Sequence, residues 1–169
     1  MTLTLLCGHS FSGKSTLAAG LAELGDAEVI NLDQINAARG LDGSKALPLE
    51  EWAKTNDLAH RVAAEALRKG RHVIVDDTGS PCFIRDAWRE VAAEAGTSFS
   101  LVWVTIDSAR QRERVLANRE KRGRMDVSDD VLAAHGDSFE PPTKEDPILV
   151  DADDTADPDT LHRVALAVF

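Results

Sequence analysis

The stretch Gly8-His9-Ser10-Phe11-Ser12-Gly13-Lys14-Ser15 constrains this chain more than any other. Two glycines five apart, followed by Lys and Ser, form the phosphate-loop pattern, and each position has a mechanical reason. Gly8 and Gly13 allow backbone angles that a side chain would forbid, so successive N–H groups can turn inward onto phosphate oxygens. The Lys14 ammonium is placed to reach the β- and γ-phosphates, and the Ser15 hydroxyl to bind Mg²⁺. Context decides against a chance match. The apolar run LTLLC (3–7) reads as a buried strand, and KSTLAAGLAEL as a helix whose N-terminus points at the anion. The expectation is a site for ATP or GTP contacted by residues 8–16, that is Gly8, His9, Ser10, Phe11, Ser12, Gly13, Lys14, Ser15 and Thr16.

Five apolar runs read as strands: 3–7, 28–32, 72–76, 99–106 and 147–151. Helical patterns separate them, at SGKSTLAAGLAEL, 49–69, RDAWREVAAEAG, the basic segment after the fourth run, and SDDVLAAHGDSF. A last helix, DPDTLHRVALAV, follows with Asp157 or Asp159 as its cap. Near-continuous apolar strands alternating with helices predict an α/β fold, a five-stranded parallel sheet with helices on both faces. Its ligands would sit beyond the carboxyl ends of the strands, where Gly8, Asp33 and Asp76–Thr78 fall. RGLDGSKALP (39–48) reads as the main exposed loop. At 169 residues a single domain is expected.

Charge narrows the partners. A net charge of −10 argues against general affinity for nucleic acid. Residues 108–124 nevertheless carry seven Lys or Arg against two Glu, and residues 126–159 twelve Asp or Glu against Lys144 alone. The basic run, following the fourth strand, reads as a helical arginine lid over about 108–126. Arg119 and Arg122, three apart on one helix face, are expected to reach the phosphates, while Arg110, Arg112 and Arg114 are expected to be solvated. Two cysteines, Cys7 and Cys82, suggest neither a disulfide framework nor a zinc site. With no signal-like start and no long apolar run, a cytoplasmic protein free of the membrane is expected.

The remaining motifs indicate a small kinase. DDTG (76–79) contains the D-x-x-G of a GTPase switch, but the chain has no Asn-Lys-x-Asp to read guanine. A ring-forming ATPase would usually be longer. Phosphoryl transfer needs a metal-organising carboxylate, a base for the acceptor hydroxyl, and cations for the developing charge. Asp76, ending HVIVD, is placed for Mg²⁺, and Asp77 could share that role. Asp33, ending VINLD, is the candidate base, and could also cap the following helix. Trp52, after the exposed loop, could line an acceptor pocket, whereas Trp88 and Trp103 read as packing.

These residues resemble the small P-loop kinase group that includes the phage-type polynucleotide 5′-kinase domain, chloramphenicol phosphotransferase and the zeta toxins. GHSFSGKSTLA, VINLD, GRHVIVDDTGSPCFIRDAW, ANREKRGR and SFEPPTKEDPILVD carry the likeness over most of the chain. The resemblance implies a P-loop NTPase fold, Asp33 as acceptor base, and ATP and Mg²⁺ held through Lys14 and Ser15. It implies Arg122, with Arg119 second, at the transferring phosphoryl group, and Asp77, Thr78 and Arg85 around the acceptor. One departure matters. The group's polynucleotide kinases carry an Arg three residues after the base Asp, and here that residue is Asn36. Arg39, roughly 120° from Asp33 around an ideal helix, is the nearest Arg, and Arg39 or Arg85 is the candidate substitute. A small hydroxyl-bearing molecule is therefore the expected acceptor, ahead of a nucleic acid 5′-hydroxyl. A regulatory ATPase with no transfer is the reading from another class.

Overall fold

The computed structural model describes residues 1–42 and 45–169. Five strands, β1 (Thr2–Cys7), β2 (Ala27–Asn31), β3 (His72–Asp76), β4 (Ser98–Thr105) and β5 (Ile148–Asp151), form one sheet in the order β2-β3-β1-β4-β5. All four pairings are parallel, with Leu5 of β1 opposite Val75 on one side and Leu101 on the other. Among the described residues seven α-helices connect and cover them: α1 (Lys14–Gly25), α2 (Leu32–Ala38), α3 (Leu49–Arg68), α4 (Cys82–Glu94), α5 (Ser108–Lys121), α6 (Asp129–Ser138) and α7 (Pro158–Val168). A 3-10 turn, Ala152–Asp154, follows β5. The α/β class and five-stranded parallel sheet expected from the sequence are what the chain forms, with strand ends shifted by one residue.

Alternation along each strand explains why both faces are covered. Leu3, Leu5, Cys7, Val73 and Val75 pack with Ala59, Ala63, Leu67 and Trp88 of α3 and α4. Their neighbours Leu6, Ile74, Val102 and Val150 pack on the other face against Leu17 and Leu21 of α1 and Val164 and Val168 of α7. Leu3, Leu5 and Leu6 have no exposed surface, and each such burial stabilises by roughly 1.5–3 kcal/mol. A central strand buried on both sides is predominantly apolar, and in LTLLC only the fully buried Thr4 interrupts the run.

The topology also places the crevice. β1 leaves through α1 on one face and its neighbour β3 leaves through α4 on the other, so the chain parts beyond their carboxyl ends. Side-chain caps define the surrounding helices. Asp107 accepts from Arg110 N at 2.8 Å, Ser128 from Val131 N at 3.4 Å, and Asp157 from Thr160 N at 2.8 Å. Asp157 is thus the cap of the last helix. In the loop expected at 39–48, Arg39 closes α2 and Pro48 opens α3; residues 43 and 44 lie outside those described.

Candidate active site

The phosphate loop is built as an anion cradle, with its donors and acceptors sorted onto opposite sides. Gly8 has φ +147°, and a Cβ there would stand 2.4 Å from the Val104 carbonyl oxygen. Gly13 has φ +102°, and its Cβ would stand 2.6 Å from Thr155 Oγ1. Phe11 takes a left-handed φ of 67°, costing roughly 1–2 kcal/mol for a residue with a Cβ. Its ring is held among Val115, Val127 and Val131, which offsets that strain. Lys14 Nζ spans the loop and donates to the carbonyls of Gly8 at 2.8 Å and His9 at 2.9 Å. Burial pulls the Lys14 pKa down, and the carboxylates of Asp76 and Asp77 push it back up.

The loop's other carbonyls face away and are bound from outside. Gln111 Nε2 donates to Ser10 O at 2.9 Å, and Arg114 Nη1 to both Phe11 O and Ser12 O at 3.1 Å. Arg114 Nη2 reaches Ala152 O and Asp153 Oδ1, each at 2.8 Å. Among the described residues, the backbone N–H groups of Gly13, Lys14, Ser15 and Thr16 donate to no other group of the chain. They are the unpaired donors of a helix start, and the cradle therefore suits a phosphate chain. Arg114, expected to be solvated, is instead a brace. Val115 marks the inward face of the basic helix, and Gln111 and Arg114 lie beside it on that face.

The carboxylates converge from two neighbouring strands. Asn31 caps α2, accepting from Gln34 N at 2.8 Å, while its Nδ2 donates to Asp76 Oδ2 at 2.6 Å. The cap considered for Asp33 is thus filled by Asn31, and Asp33, whose carboxylate has no hydrogen-bond partner among the described residues, sits in the first turn of α2, lining the cleft. Asp77 Oδ1 accepts from Thr78 N at 2.7 Å. Desolvation raises the Asp77 pKa, the Thr78 backbone bond and Lys14 lower it, and the Asp33 charge raises it further. Asp33, Asp77 and Lys14 therefore share one electrostatic neighbourhood. Ser15, Asp76 and Asp77 all line the same cavity, a hydroxyl and two carboxylates of the hard-oxygen kind that suits Mg²⁺.

That cavity is a cleft of about 1000 Å³. Its loop end carries His9–Phe11, Gly13–Thr16, Arg114 and Arg124; its far end carries Asn31–Gln34, one face of α3, Thr78 and part of α4. On α3, Leu49, Ala53 and Asp57 form one i,i+4 row and Trp52, Asn56 and His60 the next, and all six line the cleft. Trp52 is thus in the pocket, while Trp88 is fully buried in the core. His9 stacks on Phe139 with ring centroids 4.2 Å apart, and burial lowers its pKa, with Lys14 and His135 adding to the effect. Burial likewise lowers the pKa of His135, against the pull of Asp33.

Four expected arginines lie elsewhere. Arg119 is bound to Asp126 at 3.0 Å and Asp129 at 2.8 Å. Arg122 lines a separate hollow of about 320 Å³ with Asn118, Arg119, Arg124 and Asp126. The reason is local: α5 ends at Lys121, and Arg122 takes a left-handed cap conformation with φ 52°. The helical spacing that would align Arg119 with Arg122 stops there, and the chain turns so that Arg124 lines the cleft, its guanidinium 4.4 Å from the Phe11 ring centre. Arg85 is 1% exposed and does not line the cleft. Its Nε donates to Glu145 Oε1 at 2.9 Å and its Nη1 to Gly79 O at 2.7 Å. Arg39 is bound to Glu51 and Thr55 on α3. Asn36, in the position of the missing clamp, is buried and accepts from Thr55 Oγ1 at 2.6 Å. Neither Arg39 nor Asn36 lines the cleft. Asn31, Asn56, Asp57 and His135 were not singled out from sequence for this site. The α3 residues carried one signal, an i,i+4 polar row beginning at Trp52.

A family model described as an AAA domain matches residues 3–142. No curated protein sequence matches the chain. Among solved structures, a gluconokinase from Sinorhizobium meliloti 1021 superposes with a TM-score of 0.67 at 19% identity, covering 98% of this chain and 94% of its own. The Mycobacterium tuberculosis APS kinase, in complex with AMPPNP and APS, gives 0.67 at 20% identity, covering 98% and 97%. A sugar kinase from Janibacter sp. HTCC2649 gives 0.66 at 19% identity, covering 99% and 94%. The shared architecture is that of P-loop NTPases.

Proposed function

We propose, for a chain that belongs to the AAA domain family, an ATP-dependent transfer of the γ-phosphoryl group to a hydroxyl of a small molecule. One observation carries it: the cradle around Lys14 and the free carboxylate of Asp33 line the same cleft, with room left for a second guest. The structural neighbours are named as a gluconokinase, an APS kinase and a sugar kinase, which supports a small acceptor over a polynucleotide. The absence of Arg39 and Arg85 from the cleft supports the same choice, since neither is available to grip a nucleic acid phosphate. Among the described residues no helix is long and apolar enough to cross a membrane. The free thiols of Cys7 and Cys82 suit a reducing compartment such as the cytoplasm.

In this reading the N–H groups opening α1 and the Lys14 ammonium hold the triphosphate and meet the charge that builds on its oxygens. Ser15 and Asp76 would hold Mg²⁺, with Asp77 beside them, and the ion would neutralise phosphate charge. Asp33 takes the proton of the acceptor hydroxyl as that oxygen bonds to the γ-phosphorus. The bond to the β,γ-bridging oxygen breaks, and ADP leaves with its electron pair. Arg124 supplies positive charge from the lid side, and Arg114 braces the loop behind it. Asn31 orients Asp76 and leaves Asp33 uncommitted.

The test is Asp33→Asn, assayed for transfer from labelled ATP to a library of hydroxyl compounds and, separately, for nucleotide affinity. Transfer is expected to fall about 10²–10⁴-fold, the range for loss of a general base, with ATP affinity retained. Undiminished transfer would remove Asp33 from the mechanism. ATP hydrolysis indifferent to every hydroxyl compound and to this substitution would favour a regulatory ATPase instead.

A further inference from the structure

The cations lining the cleft are gathered at one end, while carboxylates line both: Asp76, Asp77 and Asp126 beside the loop and the basic helix, Asp33 and Asp57 beyond them. Among the described residues, the Arg and Lys side chains that line it are Lys14, Arg114 and Arg124. All three belong to the loop end: Lys14 on the loop carbonyls, Arg114 on Phe11 O and Ser12 O, and Arg124 over the Phe11 ring. Among the described residues the acceptor end carries no Lys or Arg. It carries two carboxylates, Asp33 on α2 and Asp57 on α3, with Asn31, Gln34, Asn56 and the imidazoles of His60 and His135 on the same wall. The two arginines that could have reached it are drawn off, Arg39 to Glu51 and Arg85 to Glu145. The mouth of this end is apolar. Leu49 is 87% exposed and Phe83 66%, and both line the cleft with Trp52 and Ile84.

From this division we infer that the acceptor end selects alcohols with no anionic group: uncharged or amine-bearing compounds with an apolar body. The inference deepens the phosphotransfer reading above and rests on it. An acceptor carrying a carboxylate or phosphate would bring a third negative charge beside Asp33 and Asp57, with no guanidinium or ammonium to receive it. Such unpaired like charge excludes a ligand as effectively as a good contact admits one. An amine near Asp57 would be favoured by the opposite sign, and a ring or alkyl body would cover Leu49 and Phe83, which otherwise face water, beside the half-buried Trp52. The cations at the phosphate end have a separate reason, the triphosphate.

The experiment uses the full chain, ATP and Mg²⁺ with scaffold-matched acceptor triplets. One triplet is phenyl glucoside, its 2-amino analogue and phenyl glucuronide; another is a nucleoside, its amino-sugar analogue and its 5′-monophosphate; the rest are aryl amino alcohols with neutral and carboxylate counterparts. Products are identified by mass spectrometry, and nucleotide binding is measured in parallel. Label is expected on the neutral and amine-bearing members, at least tenfold ahead of the anionic ones in kcat/KM. Label on the anionic members at equal or greater efficiency would overturn the inference and leave the kinase reading standing. No label in any triplet, with ATP bound normally, would count against phosphotransfer itself and take the inference with it. Asp57→Lys is the second arm. It is expected to shift the anionic-to-neutral ratio at least tenfold toward the anionic members, and an unchanged ratio would also overturn the assignment.

Discussion

Arg85 and Glu145 illustrate how one residue's role depends on a partner the local sequence does not reveal. Arg85 reads naturally as a hand for the acceptor, because it follows the third strand and the Asp77–Thr78 pair. Its fork is occupied by a carboxylate sixty positions away, which also receives Arg89. Removing one partner of such a buried pair strands the other, at about 3–5 kcal/mol. Glu145→Ala is therefore expected to lower the urea midpoint markedly, while phosphate binding at the loop changes little. Arg85 and Arg89 hold the Glu145 carboxyl down at about 2, from an ordinary 4.5. A carboxylate depressed in the folded state stabilises fully above the unfolded value and loses that contribution as pH falls through the folded one. Acid unfolding should accordingly steepen between about pH 4.5 and 2, and Glu145→Gln, followed by circular dichroism, should lack that portion. Gly8 is the opposite case, fully legible in advance. Its positive φ and the 2.4 Å approach of a Cβ to the Val104 carbonyl mean that Gly8→Ala must displace either the loop or β4.

The basic helix α5 shows how an element can be read from sequence while the side chains it turns to the cleft are not. Its place after the fourth strand and its run of Arg and Lys underlie the proposed lid. Which arginine faces the phosphates depends on where the helix stops, and a single left-handed residue, Arg122, stops it. The side chain turned into the cleft is then Arg124. Arg124→Ala is expected to lower kcat by about 10² with a much smaller change in ATP affinity, whereas Arg122→Ala stays near the parent. Equal losses from both would show that the lid refolds on closing so that Arg122 enters the site. Arg114 acts differently, bracing the loop from behind through Phe11 O and Ser12 O. Arg114→Met should weaken nucleotide affinity and turnover together, as measured by titration and steady-state kinetics.

Across the whole molecule, three histidines on the cleft wall bring pH into the argument. Burial lowers the pKa of His9, His60 and His135. Lys14 faces His9 and His135 and lowers both; Asp33 faces His135, and Asp57 and Glu90 face His60, each opposing the shift. The folded state thus resists protonation that the unfolded chain accepts near 6.5. Their neutral packing is undisturbed above that value, and stability is lost as pH falls below it. Urea midpoints at pH 7.5 and 5.5 should differ in that direction, and His135→Gln should shrink the gap.

The phosphate loop, the alternation of apolar strands with helices, and the placement of Asp33 just beyond β2 were legible because each is written among near neighbours. Glycine spacing fixes backbone angles, and a two- or 3.6-residue period fixes a face, with no distant information needed. The fate of Arg39, Arg85 and Arg114, the turn that exchanges Arg122 for Arg124, and the α3 face carrying Asp57 came only with folding. An ion pair needs a partner from another element, and a cleft wall needs several elements to converge. Chain neighbours specify neither, because a long charged side chain binds whichever opposite charge the packed backbone brings within reach.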